Sequence, residues 1–121
     1  MKSHWIDYRG KRIFFADYSG FGNDTAGLQQ ELDEAVEVLA REPDKSVLVL
    51  SNFENTVTTV TNLNAVRHSI QPANKAVIKR AILGVGGVRR MFLTTFSNVL
   101  GDTDVAAFDT QEQALVWLTK E

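Results

Sequence analysis

The chain has 121 residues, no cysteine and a formal charge of −2. That length suits one domain, and the area scaling buries about two-thirds of the extended chain's surface, so a core forms without staples. Lack of cysteine excludes a disulfide framework, a thiolate nucleophile and Cys-based zinc or iron–sulfur sites.

Trp5–Tyr8 and Arg12–Tyr18 are aromatic and β-branched, with Arg9, Gly10 and Lys11 between them. They predict two strands joined by a tight turn around Gly10. Ser19 to Asp24 reads as a loop, and Asn23, Asp24 and Thr25 are candidate N-caps. Leu28, Leu32, Ala35, Val36 and Leu39 then share one helical face. The opposite face carries Glu31, Asp33, Glu34 and Glu37, and Pro43 and Asp44 end the helix. Val47–Leu50 is continuously apolar, which predicts a strand covered on both faces. Leu63, Val66 and Ile70 mark a second helix that closes near Pro72. Val77–Val85 is the next strand, with Gly84, Gly86 and Gly87 at its end. Val88, Met91, Phe92, Phe96 and Val99 fit a third helix, with Gly101 as its C-cap. Val105–Phe108 is a last strand. Thr110 and Gln113 form a capping box for a final helix with Ala114, Leu115 and Leu118 on its core face.

The order β-β-α-β-α-β-α-β-α predicts a single α/β domain over residues 1–121. Its sheet has about five strands, mostly parallel, with an antiparallel edge strand. The longest apolar-plus-glycine run, Ala81–Val88, is eight residues, far short of the roughly 20 that cross a bilayer. The first residues have no signal-peptide core. We therefore expect no membrane span and a cytoplasmic location.

The small total charge hides a split. Residues 17–54 hold nine acids and two bases, a net of −7, whereas residues 61–100 hold six bases and no acid. The sequence pI of about 5.7 points away from nucleic acid as a partner. The basic stretch is expected to face the acidic helix or an acidic partner.

Two glycine turns, Gly20-Phe21-Gly22 and Gly84-Val85-Gly86-Gly87, join a strand to a helix at the carboxyl edge, where open α/β sheets bind ligands. Neither completes a dinucleotide fingerprint, because Thr25 and Arg89 stand where a third glycine belongs, and no phosphate-loop motif is present. The plain reading of both turns is turn geometry and close packing. Arg89 and Arg90 follow the second turn directly, against the dipole of the helix they open. A bound anion, solvent or an acid from elsewhere in the fold would relieve that conflict. Gly86, Gly87, Arg89 and Arg90 are thus the candidate anion site.

His4 and His68 are the only histidines. They read as an edge-strand and a helix-surface residue, with no metal spacing such as HExxH. Asp33 and Glu34 read as solvating carboxylates. No catalytic residue, metal ligand or cofactor is predicted. Thr56, Thr58, Thr59 and Thr61 cluster before the second helix. They read as loop plus N-cap, and Thr59 or Thr61 would be the phosphosite if the segment is a phosphorylation switch.

Several segments together resemble the STAS domain, and more closely its SpoIIAA-like, STAS/SEC14-like branch of small bacterial proteins. They are Phe14-Phe15-Ala16-Asp17-Tyr18-Ser19-Gly20, Val47-Leu48-Val49-Leu50-Ser51-Asn52, Ala81 through Arg90 and the closing Val105 through Leu118, with its F-D-T-x-E-x-A-L-x-W-L ending. The resemblance implies a sequentially ordered β-α superhelix. It implies helices mainly on one sheet face, with the other face partly available. It also implies a non-enzymatic regulatory or binding module. The family's phosphosite segment corresponds to residues 55–62, which have threonines but no aspartate before them and no glycine after. The leading expectation is a non-enzymatic interaction domain that pairs as a homodimer, because an apolar sheet face left open seeks a partner. The alternative is a carrier of a small apolar or amphipathic anionic ligand, its head group at the Gly84–Arg90 turn. Nothing positive marks an enzyme.

Overall fold

The computed structural model describes residues 1–57, 66–86, 93 and 104–120. Strands β1 (His4–Tyr8) and β2 (Lys11–Asp17) form a hairpin, and Arg9 and Gly10 at its tip both have positive φ, 51° and 79°. Two consecutive left-handed residues define the turn whose twist matches a two-residue hairpin. Helix α1 (Thr25–Ala40) follows, capped by Asp24, whose side chain accepts from the Gly27 N–H at 2.9 Å. Strand β3 is Val47–Asn52. Residues 66–70 are helical and pass into a 3-10 segment, Gln71–Ala76. Strand β4 (Val77–Leu83), strand β5 (Asp104–Phe108) and helix α2 (Gln111–Thr119) complete the described chain.

The five strands make one sheet in the order β1-β2-β3-β4-β5. The first pair is antiparallel and the other three are parallel. The expected mixed α/β sheet with an antiparallel edge is therefore the fold found. Crossovers between parallel strands are right-handed. Successive crossovers stepping one way along the sheet therefore lie on the same face. Accordingly α1 and the 66–76 segment share one core with Phe14, Ala16, Val47, Val49, Val77 and Ile82. Helix α2 lies on the opposite face, where Ala114, Leu115 and Leu118 pack with Ile13, Leu50, Ala81 and Leu83. β3 is covered on both faces, as its unbroken apolar run requires. Over β1 and β2 that second face is only half covered, and Ile6, Tyr8, Phe15 and Leu48 are partly accessible there.

Three details differ from the sequence expectations. β4 stops at Leu83 because Gly84 has φ +80° and breaks the ladder. Pro72 opens the 3-10 segment instead of closing a helix. A first-turn position has no use for the missing N–H. Glu31 lies inside, not on the outer face of α1, and only 5% of it is accessible. Its carboxylate accepts from the Lys2 N–H at 2.9 Å, the Ser3 N–H at 3.0 Å and the Ser3 hydroxyl at 2.7 Å. The third helix and its Gly101 cap lie outside the described residues.

Candidate functional site

The site starts from an irregularity in the parallel ladder between β3 and β4. Val47 pairs with Val77, but Leu48 pairs with Lys79, so the ladder skips Ile78. One residue of slip exchanges the two faces of a strand, and bulges often re-aim a side chain this way. Strict alternation from Val77 would send Lys79 into the core with α1 and turn Arg80 to the other face. With the skip, Lys79 turns out and donates to the Trp117 and Lys120 carbonyls at the end of α2, at 3.2 and 3.0 Å. Arg80 turns in, and 2% of it is accessible.

Arg80 ends in a cleft between the sheet and the 66–70 helix, lined by Tyr18, Ser51, Phe53, Val66, Ile70 and Ile82. The cleft is nowhere wide enough to seat a water molecule. Each wall has a local cause. Tyr18 is held at the end of β2 because its N–H donates to the Asn52 carbonyl at 2.9 Å and its own carbonyl accepts from the Thr56 hydroxyl. Phe53 continues β3 through an N–H bond to the Leu83 carbonyl at 2.9 Å, and its ring centroid lies 5.2 Å from that of Tyr18. Ser51 pairs with Ile82 across the ladder. Gln29 of α1 donates to the Ser69 hydroxyl at 2.8 Å and ties the 66–70 helix in place.

The Arg80 guanidinium has one partner among the described residues, the Ser51 hydroxyl, 3.3 Å from Nη1. Nε and Nη2 are buried with none. A buried charge without full hydrogen bonding costs several kcal/mol, and arginine does not escape by losing its proton. Burial lowers its pKa from the usual guanidinium value, opposed by Tyr18. Burial also pushes the Tyr18 hydroxyl up to about 12, a rise that Arg80 opposes and Glu31 adds to. The Tyr18 phenol therefore stays protonated and is a neutral group beside a cation. Glu31 senses the same region, but its oxygens are taken by Lys2 and Ser3. An isolated cation at the bottom of an apolar cleft is chemically an anion receptor.

No family model, curated protein or solved structure matches the chain.

Of the residues expected to bind an anion, Gly86 is described, with φ +40°. Gly87, Arg89 and Arg90 lie outside the described residues, as do the candidate phosphosites Thr59 and Thr61. Thr56 is buried and bridges the Tyr18 carbonyl and the Phe21 N–H. The first glycine turn has its N–H groups occupied, with Gly20 donating to Glu54 and Gly22 to Asn55, each at 2.8 Å. His4 is exposed and stacks on Phe15, and His68 is exposed on the 66–70 helix. Among the described residues no group of three or more His, Asp or Glu side chains is placed to hold a metal, and no helix is long and apolar enough to cross a membrane.

Arg80 went unrecognised in the sequence because it sits within a basic stretch. One signal was present: two adjacent cations, Lys79 and Arg80, inside an otherwise apolar central strand, in a run of 40 residues that holds no acid.

Proposed function

We propose that the chain is a non-enzymatic binding module that holds a small anionic ligand against Arg80. The observation that carries this reading is the buried guanidinium edge, Nε and Nη2, with no partner among the described residues. The expected ligand class is kept, and the anchor proposed for it is Arg80; Gly87, Arg89 and Arg90 of the Gly84–Arg90 turn lie outside the described residues. The test follows the Arg80 Nε–Hε resonance by NMR during titration with acetate, inorganic phosphate and hexanoate. A saturable shift with any of the three supports the reading. No shift with any of them overturns it.

The half-covered sheet face favours a second property, self-association. Ile6, Tyr8, Phe15 and Leu48 lie side by side there and are partly accessible. We propose that this face pairs two copies, in keeping with the resemblance to STAS-like interaction domains, and that the ligand modulates a protein partner in the cytoplasm. Light scattering is expected to give a dimer for the unchanged chain and a monomer for Ile6→Asp. A monomer over a wide concentration range for the unchanged chain rules the pairing out.

A further inference from the structure

The geometry points to a compact monocarboxylate as the ligand of this cleft, its two oxygens on the Nε and Nη2 edge of Arg80 and its apolar body against Phe53, Val66, Ile70 and Ile82; the inference rests on the reading of Arg80 as an anion anchor. Three independent features select that class.

The first is the shape of what is free. Ser51 occupies Nη1, whereas Nε and Nη2 are the unpartnered pair. Those two nitrogens flank one edge of the guanidinium plane and present parallel N–H bonds. A carboxylate accepts both at once, and that two-bond geometry distinguishes arginine from a point charge such as lysine.

The second is charge. Among the described residues lining the cleft Arg80 is the one cation, and Tyr18 and Ser51 offer only neutral hydroxyls. A monoanion neutralises the site. A phosphate dianion would leave one negative charge uncompensated in an apolar cleft, with the Glu31 field adding to the penalty. Tyr18 stays a neutral phenol through the physiological range, so its hydroxyl does not repel a carboxylate.

The third is wall chemistry. Phe53, Val66, Ile70 and Ile82 are apolar. They suit a short hydrocarbon body on the acid, and a cleft too narrow for water does not take a long chain lying wholly inside. The cleft does not admit water at its present width, so a ligand enters by widening it. Phe53, Ser51 and Ile82 belong to or extend hydrogen-bonded strands. Val66 and Ile70 stand on a helix held to α1 by the Gln29–Ser69 bond. The helix is the wall that yields.

The experiment compares hexanoate, hexanol, acetate and inorganic phosphate by the Arg80 Nε–Hε shift and by calorimetry, with the unchanged protein and with Arg80→Met and Ser69→Ala. Hexanoate is expected to bind at least about tenfold more tightly than hexanol and than phosphate, since charge-assisted bonds are the strong ones. It is also expected to outbind acetate, which lacks the apolar body. Arg80→Met should lose that preference for acid over alcohol. Ser69→Ala should speed hexanoate association. Equal affinity for hexanoate and hexanol overturns the inference, as does retained hexanoate affinity in Arg80→Met. If phosphate or acetate shifts the Arg80 resonance more strongly than hexanoate, Arg80 remains an anion anchor and the monocarboxylate class is wrong. If no anion shifts it, both readings fail. The resonance of the unchanged protein gives this answer even if Arg80→Met does not fold.

Discussion

Arg80 and Glu31 are two buried charges treated in opposite ways. Glu31 is closed off by three donors, whereas two of the Arg80 nitrogens are left open. Replacing Arg80 by methionine, of similar reach and no charge, is expected to raise stability by about 1–3 kcal/mol, because an unpaired buried charge is removed. Urea denaturation measures it, and a loss of stability would show that Arg80 already has its counterion. The pH dependence has two limbs. Burial alone would raise the Glu31 carboxyl, but the bonds from Lys2 and Ser3 outweigh it and hold the group below its ordinary value of 4.5. A lowered carboxyl stabilises the fold above the unfolded pKa. That contribution is lost as pH falls below about 4.5 toward the folded value, and Glu31→Gln should flatten this acid limb. Tyr18 behaves in the reverse sense, rising from 10 to about 12. Its contribution is complete below pH 10 and drains away between pH 10 and 12, and Tyr18→Phe should remove that alkaline loss. Thermal melts across pH check both limbs.

At the level of elements, the β1–β2 turn and the end of β4 each depend on one glycine. Arg9 occupies a left-handed position at φ 51° that asparagine fills at lower cost. Arg9→Asn is therefore expected to add roughly 0.5 kcal/mol, read as a higher melting temperature. Gly84 is tighter: a Cβ there would sit 2.4 Å from the Glu54 nitrogen and 2.8 Å from its Cα, at φ +80°. Gly84→Ala should cost at least about 1–3 kcal/mol from the conformation alone, and the clash with backbone adds to it. Local signals of this kind were legible in the sequence. Asp24 caps α1, and the Thr110 side chain accepts from the Gln113 N–H at 3.2 Å. The apolar run of β3 announced a strand buried on both sides. The face chosen by Arg80 was not legible. It is set by the skip at Ile78, a property of how β4 meets β3 some thirty residues earlier. Alternation read along β4 alone gives the wrong cation. Glu31 was hidden for a related reason: its donors come from residues 2 and 3, far away in the chain.

Across the whole molecule the charge split resolves differently from its first appearance. Among the described residues the acids of the first half find cations at Met1, Lys2, Arg12 and Arg41. Two cations of the basic half, Lys79 and Arg80, are spent on carbonyls and on the cleft. Exposed pairs of this sort add little stability, so the melting temperature should change by only a few degrees between low salt and about 0.5 M salt. A large fall would show that the split is held together by screened long-range attraction. The sequential strand order has a kinetic consequence. Every described strand pairs only with its neighbours in the chain, so none of these ladders has to wait for a remote segment, and the loop-closure cost rises in small steps. The hairpin of β1 and β2 is the natural first piece, and β3 and β4 then zip on in turn. Since Arg80 is sealed only when β4 docks onto β3 and the 66–70 helix closes over it, its desolvation comes late. Arg80→Met should thus slow unfolding while leaving the folding rate nearly unchanged.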